Sequence, residues 1–580
     1  MDPPLAQAAH FSAIDWLVVA AYLAATTWIG ARLAGRQATI RDFFLGGRKL
    51  PWWAVAGSNI ATEISAVTFI SVPALVYVAG GDFRYLQLAF GSIIARGLIA
   101  WVFVPAYYAR EIYSPYQYMG QRLGPNVDPV ASGLFLLGAT LSQAVRLFTT
   151  ALVLEVVTGI SLPASIWIIG LFAVVWTLLG GITTVIWTDV VQFIVLVAGA
   201  ATALVWVFGS VPGGAAAVLQ QGAAENRFRL FDLSADPAVE FTLWSGLVGM
   251  TFLNLAALGT DQIMVQRIFC CRGPGDARRA VLAGNLGLFM PVLLLFVGAG
   301  LAAYFGQHPL PPGDAAFVAD RSERVFPLFI VRALPAGVSG LVIAAVFAAA
   351  ISTLDGTLAA LAQTSVTSLY LPWRRARGRP AVEDRAAVRL SRWFVVAWGV
   401  VLSAVATGLI SLRGHGNLIN LALAVPSYTY GALLGTLLLA LLPMRRDDRG
   451  LIWGVPASVL AVLAVSTSAP AARIVTWAGC AALLVVAVRV WGAELRRLSL
   501  LSVVVAGILA LDWLSAPRPE GPARLILAYP WYYPLGTTVA FVLGWGMASR
   551  KRDEAAAAAP GGAVGGGPSA RRGGKGGREG

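Results

Sequence analysis

AVAGSNIATEISAVTFISVPALV, residues 54–76, decides how the rest of this chain is read. It is long enough to cross a bilayer, since ~20 helical residues cover the hydrocarbon, yet it makes a poor greasy helix. Glu63 stands near its centre, with Ser58, Asn59, Thr62, Ser65, Thr68 and Ser71 around it. Gly57 and Pro73 weaken the hydrogen-bond ladder on either side, which predicts an interruption. An ionisable group at membrane depth costs ~2.5–3.5 kcal/mol on insertion scales, so it faces a cavity or a partner. A helix that breaks there frees carbonyl oxygens for a cation, but only where protein or water walls the irregular backbone. The alternative is an unbroken helix whose hydroxyls bond back to their own carbonyls.

The chain around this stretch has 580 residues, 58% of them hydrophobic and 12% charged, with a mean hydropathy of +0.73. Apolar runs this many and this long exceed the needs of a buried core; they read as a polytopic helical protein of the lipid bilayer. Window length and flanking charge give about fifteen spans, near 11–33, 50–79, 85–108, 129–158, 161–179, 184–208, 239–268, 280–305, 335–371, 393–412, 417–443, 451–468, 471–490, 498–515 and 529–549. The first is too long, and lacks a small-residue cleavage site, for a cleaved signal peptide.

A net charge of +14 invites a nucleic-acid reading, but its distribution argues against one. Basic residues gather on every second connection: within 32–49, 110–122, 267–279 (Arg267, Arg272, Arg278, Arg279), 374–392, 445–449, 489–497 and 550–552. By the positive-inside rule those connections are cytoplasmic, so the N-terminus lies outside and the C-terminus inside a cell membrane. Cys270, Cys271 and Cys480 form no disulfide framework or metal spacing, and the three histidines form no cluster. With no nucleophile elbow or phosphate loop either, an enzyme has no support.

Polar groups within the later spans carry the remaining information. The third span opens with Gln87 and runs into an aromatic segment, 107–124, which reads as an interfacial belt with a surface helix. The fourth holds Gln143 and Arg146 near its middle; such an arginine needs a carboxylate, a hydrated vestibule or an anionic ligand, and a structural pair with Glu63 or an outer acid is the plain alternative. In the sixth, Asp189 lies more than a turn inside, beside Thr188 and Gln192, unless it is merely a wet carboxylate at the inner mouth. The connection 209–238 carries no functional signal.

The seventh span, 243–267, is interrupted like the second: Gly249 and Gly259 flank Asn254, with Asp261, Gln262 and Gln266 behind. Two weakened helices five spans apart point to an inverted-repeat transporter with its site between them. In the ninth span a run of small residues admits close backbone approach, and Ser352, Thr353 and Asp355 follow it. Two carbonyls from a broken helix, plus two hydroxyls and a carbonyl from this one, would offer a hard monovalent cation five oxygens.

ATEISAVTF (61–69), GGITTVIWTDVVQ (180–192), GTDQIMVQR (259–267) and AAAISTLDG (348–356) resemble, in that order, signatures of the sodium/solute symporter family, whose members carry sugars, proline, iodide, monocarboxylates or sialic acid. The resemblance covers roughly 15–445. It implies an all-α, LeuT-like 5+5 inverted-repeat core at 50–445, its repeats near 50–208 and 239–445. A leading helix and its connection would fill 1–49, about four trailing scaffold helices 446–550, and a disordered tail 551–580.

The resemblance also implies that sodium, the co-transported ion, is held by the carbonyls of Ala61, Ile64 and Ala349 and the hydroxyls of Ser352 and Thr353. Some members hold a second sodium between the aspartate matching Asp189 and hydroxyls that here are Asp355 and Gly356. Either Asp355 strengthens that second site, or it binds a proton and the second sodium is lost. Family position places the solute near Glu63, Ser65, Thr68, Gln87, Arg146, Asn254 and Asp261. In sialic acid transporters of the family an arginine on the matching helix holds the carboxylate, so a carboxylate-bearing solute is expected, moved by one functional monomer. A neutral sugar or amino acid is the alternative. A transporter-like membrane sensor is the reading from another class, and the short tail leaves it no room for a signalling domain.

Overall fold

The computed structural model describes residues 11–33, 39–412, 425–443, 447–467, 469–491, 494–517 and 523–548. The tail 551–580 and the start of the 417–443 span, about which the sequence made expectations, lie outside these residues. Among the described residues the protein is all-helical, with nine helices long and apolar enough to cross a membrane and two further pairs bent in mid-course.

The first bent pair is α2 (Trp52–Glu63) and α3 (Ala66–Tyr77), at 60° to each other. α1 (Ala13–Leu33) precedes it. The break lies between Gly57 and Pro73, at neither of them: Ile64 is extended (φ −85°, ψ 92°), and Ser65 restarts the helix by accepting the Thr68 amide on its hydroxyl. A serine N-cap offers a new start that outcompetes continuation. Gly57 and Pro73 sit inside their helices because neighbours support them there.

α4 (Arg84–Tyr108) and α5 (Val127–Thr158) follow, then α6 (Leu162–Leu178) and α7 (Gly181–Gly209). The turn from α6 to α7 depends on Gly181, whose φ of +56° favours glycine, and whose added Cβ would lie 2.5 Å from the Phe43 carbonyl. This turn starts α7 two turns before Asp189.

The second bent pair is α8 (Ser245–Gly259) and α9 (Gln262–Phe269), at 56°. Asp261 caps α9 by accepting the Ile263 amide at 2.8 Å. The Gly259 carbonyl freed by this break accepts the Tyr107 hydroxyl at 2.6 Å. The aromatic segment 107–124 is therefore no mere interfacial belt: Tyr107, Tyr116 and Tyr118 are buried, and the Tyr116 hydroxyl accepts the Gln262 amide at 3.3 Å. Buried backbone must be satisfied, and Tyr107 and Tyr116 do it.

α10 (Pro274–Gln307), α11 (Val338–Ala376) and α12 (Asp384–Ser411) complete the long helices of the core. α11 lies at its centre, and small residues let it approach: a Cβ on Gly199 of α7 would come within 2.5 Å of Ala345. Asp15 of α1 reaches the start of α11, accepting from the Gly337 and Gly340 amides and the Ser339 hydroxyl at 2.7–2.8 Å.

The remaining helices are α13 (Ser427–Leu441), α14 (Leu451–Ser466), α15 (Pro470–Trp491), α16 (Leu495–Ser515) and α17 (Tyr532–Met547). α14 to α17 are largely apolar, although Asp512 is buried between α15 and α16 and bonds Arg473 and Trp477. The connection 209–238, silent in sequence, is tied down. Arg227 donates to the carbonyls of Val76, Tyr77 and Val78, closing the end of α3, and Arg84 meets Asp232 at 2.7 Å.

Candidate functional site

The break in α2–α3 faces α11. An α-helix leaves its last carbonyls without intrahelical partners, and here they come from residues 61–64, with Ala61 and Ile64 both buried. Thr353 of α11 donates its hydroxyl to the Thr62 carbonyl at 3.3 Å and to the Ala349 carbonyl at 2.9 Å. The Ser352 oxygen lies 3.4 Å from the Thr62 hydroxyl and donates to Asp189 Oδ1 at 2.6 Å. Ser352 spends its proton on Asp189, which leaves its lone pairs to accept. The structure thus brings broken-helix carbonyls and adjacent hydroxyls into one buried place, a donor set suited to a hard monovalent cation.

Asp189 is no wet carboxylate at a mouth: it is fully buried. Its Oδ2 accepts from Ser58 at 2.5 Å and from Nη2 of Arg267 at 3.0 Å. Arg267 is equally buried; its Nε donates to Ser58 at 2.8 Å and its Nη1 to the Ile263 carbonyl at 2.6 Å. By charge pattern Arg267 counts among the basic residues of a cytoplasmic connection, at the end of the seventh span. The apolar run Ile268–Cys271 that follows it was the available signal, since it puts Arg267 more than a turn deeper than Arg272. Asp355 is buried too, with Oδ1 accepting the Gly356 amide at 2.6 Å.

Arg146 is half-buried and lines a narrow cavity with Ser65, Gln143, Thr150, Ala349 and Thr353. The expected alternative partner, Glu63, is engaged elsewhere: it pairs with Arg96 of α4, which also reaches Ser92 and the Val281 carbonyl. A Cβ on Gly284 would lie 2.0 Å from that guanidinium, so the glycine makes room for it. Among the described residues no carboxylate stands within 4 Å of Arg146. Gln143 beside it is buried with its carbonyl oxygen unpartnered.

Not every expected solute residue joins this cavity. Gln87 faces the connection 209–243, donating to the Phe241 carbonyl and accepting the Asp232 amide. Asn254 turns back to the Met250 carbonyl of its own helix at 2.7 Å. Asp261 is occupied by its cap and by the Tyr430 hydroxyl. Thr68 lies 3.4 Å from Ser65, oxygen to oxygen, at the cavity's edge. Glu63 and Gln87 both take protein partners here, since polarity within a span marks a partner as readily as a ligand.

The geometry has parallels. The chain resembles the sodium/sialic acid symporter SiaT of Proteus mirabilis, 27% identical over 78% of this chain and 90% of the relative. It is 29% identical to sodium-coupled monocarboxylate transporter 2 of Bos taurus, over 81% of this chain and 75% of that one. A solved Na+-coupled sialic acid symporter in a substrate-bound outward-open state superposes with a TM-score of 0.73 at 24% identity, covering 92% of this chain and 97% of that one. The likeness establishes the fold of the bent-helix core. The sodium:solute symporter family model matches residues 43–457, which takes in both breaks, Asp189 and the hydroxyls of α11. With that match extending over most of its length, the chain belongs to the sodium:solute symporter family, a multi-pass membrane transporter that couples sodium to a small solute.

Proposed function

We propose that this symporter carries a small carboxylate-bearing solute, clamped by Arg146. One observation carries the reading: a guanidinium faces a cavity without a direct ion pair to a protein carboxylate among the described residues, Asp261 acting on it only from beyond contact distance. A half-buried arginine wants an anion, and its planar fork suits a carboxylate in bidentate contact. The relatives named for sialic acid and for monocarboxylates carry solutes of this chemistry, which supports it.

In this reading sodium binds the carbonyls of Ala61, Ile64 and Ala349 and the hydroxyls of Ser352 and Thr353. Ser65 at the start of α3 and Thr353 and Ala349 of α11 line the solute cavity beside the proposed sodium ligands, so the ion and the solute order the same two helices. Each ligand therefore favours the conformation the other binds, and linkage makes that coupling reciprocal. Glu63 and Arg96 act as a brace beside the break. The core occupies 50–445 as two repeats, α14–α17 serve as scaffold, the N-terminus lies outside and the C-terminus inside, and the monomer suffices.

Proteoliposomes supplied with sialic acid, lactate, galactose or proline, under a sodium gradient or with choline in its place, test the reading. Sodium-dependent uptake of an acid is expected. Uptake confined to galactose, or to proline without sensitivity to Arg146→Lys, would sink the carboxylate clamp.

A further inference from the structure

The resemblance implies, for some members, a second sodium at the aspartate corresponding to Asp189. The residues here do not fit that ion. Asp189 Oδ1 accepts Ser352, and Oδ2 accepts both Ser58 and the Arg267 guanidinium. The Ser58 oxygen itself accepts Nε of Arg267 at 2.8 Å, which directs its lone pairs at the guanidinium. Residue 356, a hydroxyl position in the pattern, is glycine. A Cβ there would lie 2.2 Å from Nη2 of Arg267, so the guanidinium fills the space that any side chain at 356 would need.

We propose that Arg267 is a resident cation: its guanidinium takes the second ion's place against Asp189, and the protein binds a single sodium, at the α2–α3 break. The inference rests on the sodium-site reading above. Arginine keeps its charge at every accessible pH, so this cation is permanent. Its ties to Ser58, Asp189 and the Ile263 carbonyl, at full burial, hold it in place beside Asp189. A sodium at the same carboxylate would sit beside a fixed positive charge and find its oxygens spent. The device also orients the remaining ion's ligand: Asp189, held by Arg267, draws the Ser352 proton and so presents the serine lone pairs to the break. Arg267 closes a stretch shared with the family, so it is Gly356, by leaving the guanidinium this space, that sets how many ions this chain couples.

One other place competes for a second cation. Asp355 Oδ2 is buried without a hydrogen-bond partner, and the Tyr22 hydroxyl and the Gln192 amide, which interact with each other, lie in the same neighbourhood as Asp189. Counting ions decides between the two.

The experiment is equilibrium binding of radioactive sodium to the purified full-length protein in detergent, with choline holding ionic strength constant. One sodium per wild-type chain is expected. Arg267→Gln should raise the count to two and make its melting temperature more sodium-dependent than the wild type's. Gly356→Ser, which crowds the guanidinium out, should move the count in the same direction and serves if Arg267→Gln does not fold. Two sodium ions on the wild type would overturn the inference, whether Asp189→Asn removes one of them or Asp355→Asn does, and would leave the symport reading intact. One sodium on both Arg267→Gln and Gly356→Ser would also overturn it. No sodium on the wild type, with Ser352→Ala and Thr353→Ala indistinguishable from it, would overturn the sodium-site reading and the inference with it.

Discussion

Arg267 and Asp189 meet at 3.0 Å where α9 passes α7, both fully buried. Removing one member of such a pair leaves an uncompensated charge in a low-dielectric interior, at ~3–5 kcal/mol. Asp189→Asn and Arg267→Gln are each expected to lower the melting temperature strongly, and the double variant to recover part of the loss. Arg267→Lys should recover little, since a single ammonium cannot reproduce bonds to Ser58, Asp189 and the Ile263 carbonyl together. Melting curves of the purified variants check this; strict additivity of the two single losses would contradict it.

The hydroxyls of α11 give the second prediction. Ser352→Ala and Thr353→Ala each remove one oxygen from the proposed sodium shell. Each should raise the sodium concentration for half-maximal transport about tenfold, equivalent to ~1.4 kcal/mol, with membrane expression near wild type. Transport by both variants that matches the wild type at limiting sodium would show the ion to be held elsewhere.

Much of this molecule could be read from its sequence, and the limits have physical causes. The two weakened spans, the small-residue helix and the deep Asp189 were legible because each violates the ordinary composition of a membrane helix. Break positions were not: Gly57 and Pro73 announced weakness, but Ser65 and Asp261, acting as caps, decided where the helices restart. Partner choice was also hidden. Glu63 takes Arg96 and Asp189 takes Arg267 across 33 and 78 residues of chain, pairings that only the packing of α2, α4, α7 and α9 creates.

Glu63 and Arg96 yield a third expectation. Arg96 is 3% exposed and braces α2 against α4 and the start of α10. Glu63→Gln should destabilise the protein, with a lower melting temperature and lower yield, while solute affinity of the folded fraction stays near wild type because the pair lies outside the Arg146 cavity. A fall in solute affinity at unchanged melting temperature would instead place Glu63 on the solute.

The connection 209–238 should hold across ordinary pH. The Ser234 amide and then the Arg84 guanidinium keep the Asp232 carboxyl below its usual value of 3.8. A lowered folded pKa gives stability that is present above 3.8 and is lost as pH falls through the depressed value. Hydrogen exchange of residues 227–243, corrected for intrinsic rates, should therefore show constant protection from about pH 8 to about pH 5. Asp232→Asn should lose that protection at neutral pH. Protection that declines between pH 7 and 5 in the wild type would assign the tether to another group.

The central claim is that Arg146 clamps the carboxylate of the solute, and Arg146→Lys tests it most directly. Lysine keeps the charge and loses the bidentate fork. The measurement is sodium-dependent binding of the transported acid to the purified variant, taken alongside its melting temperature. Affinity reduced roughly thirtyfold or more, the ~2–5 kcal/mol of a buried charged contact, with sodium binding and melting temperature preserved, is the predicted result. Normal affinity with a lowered melting temperature would contradict it and make Arg146 a structural residue.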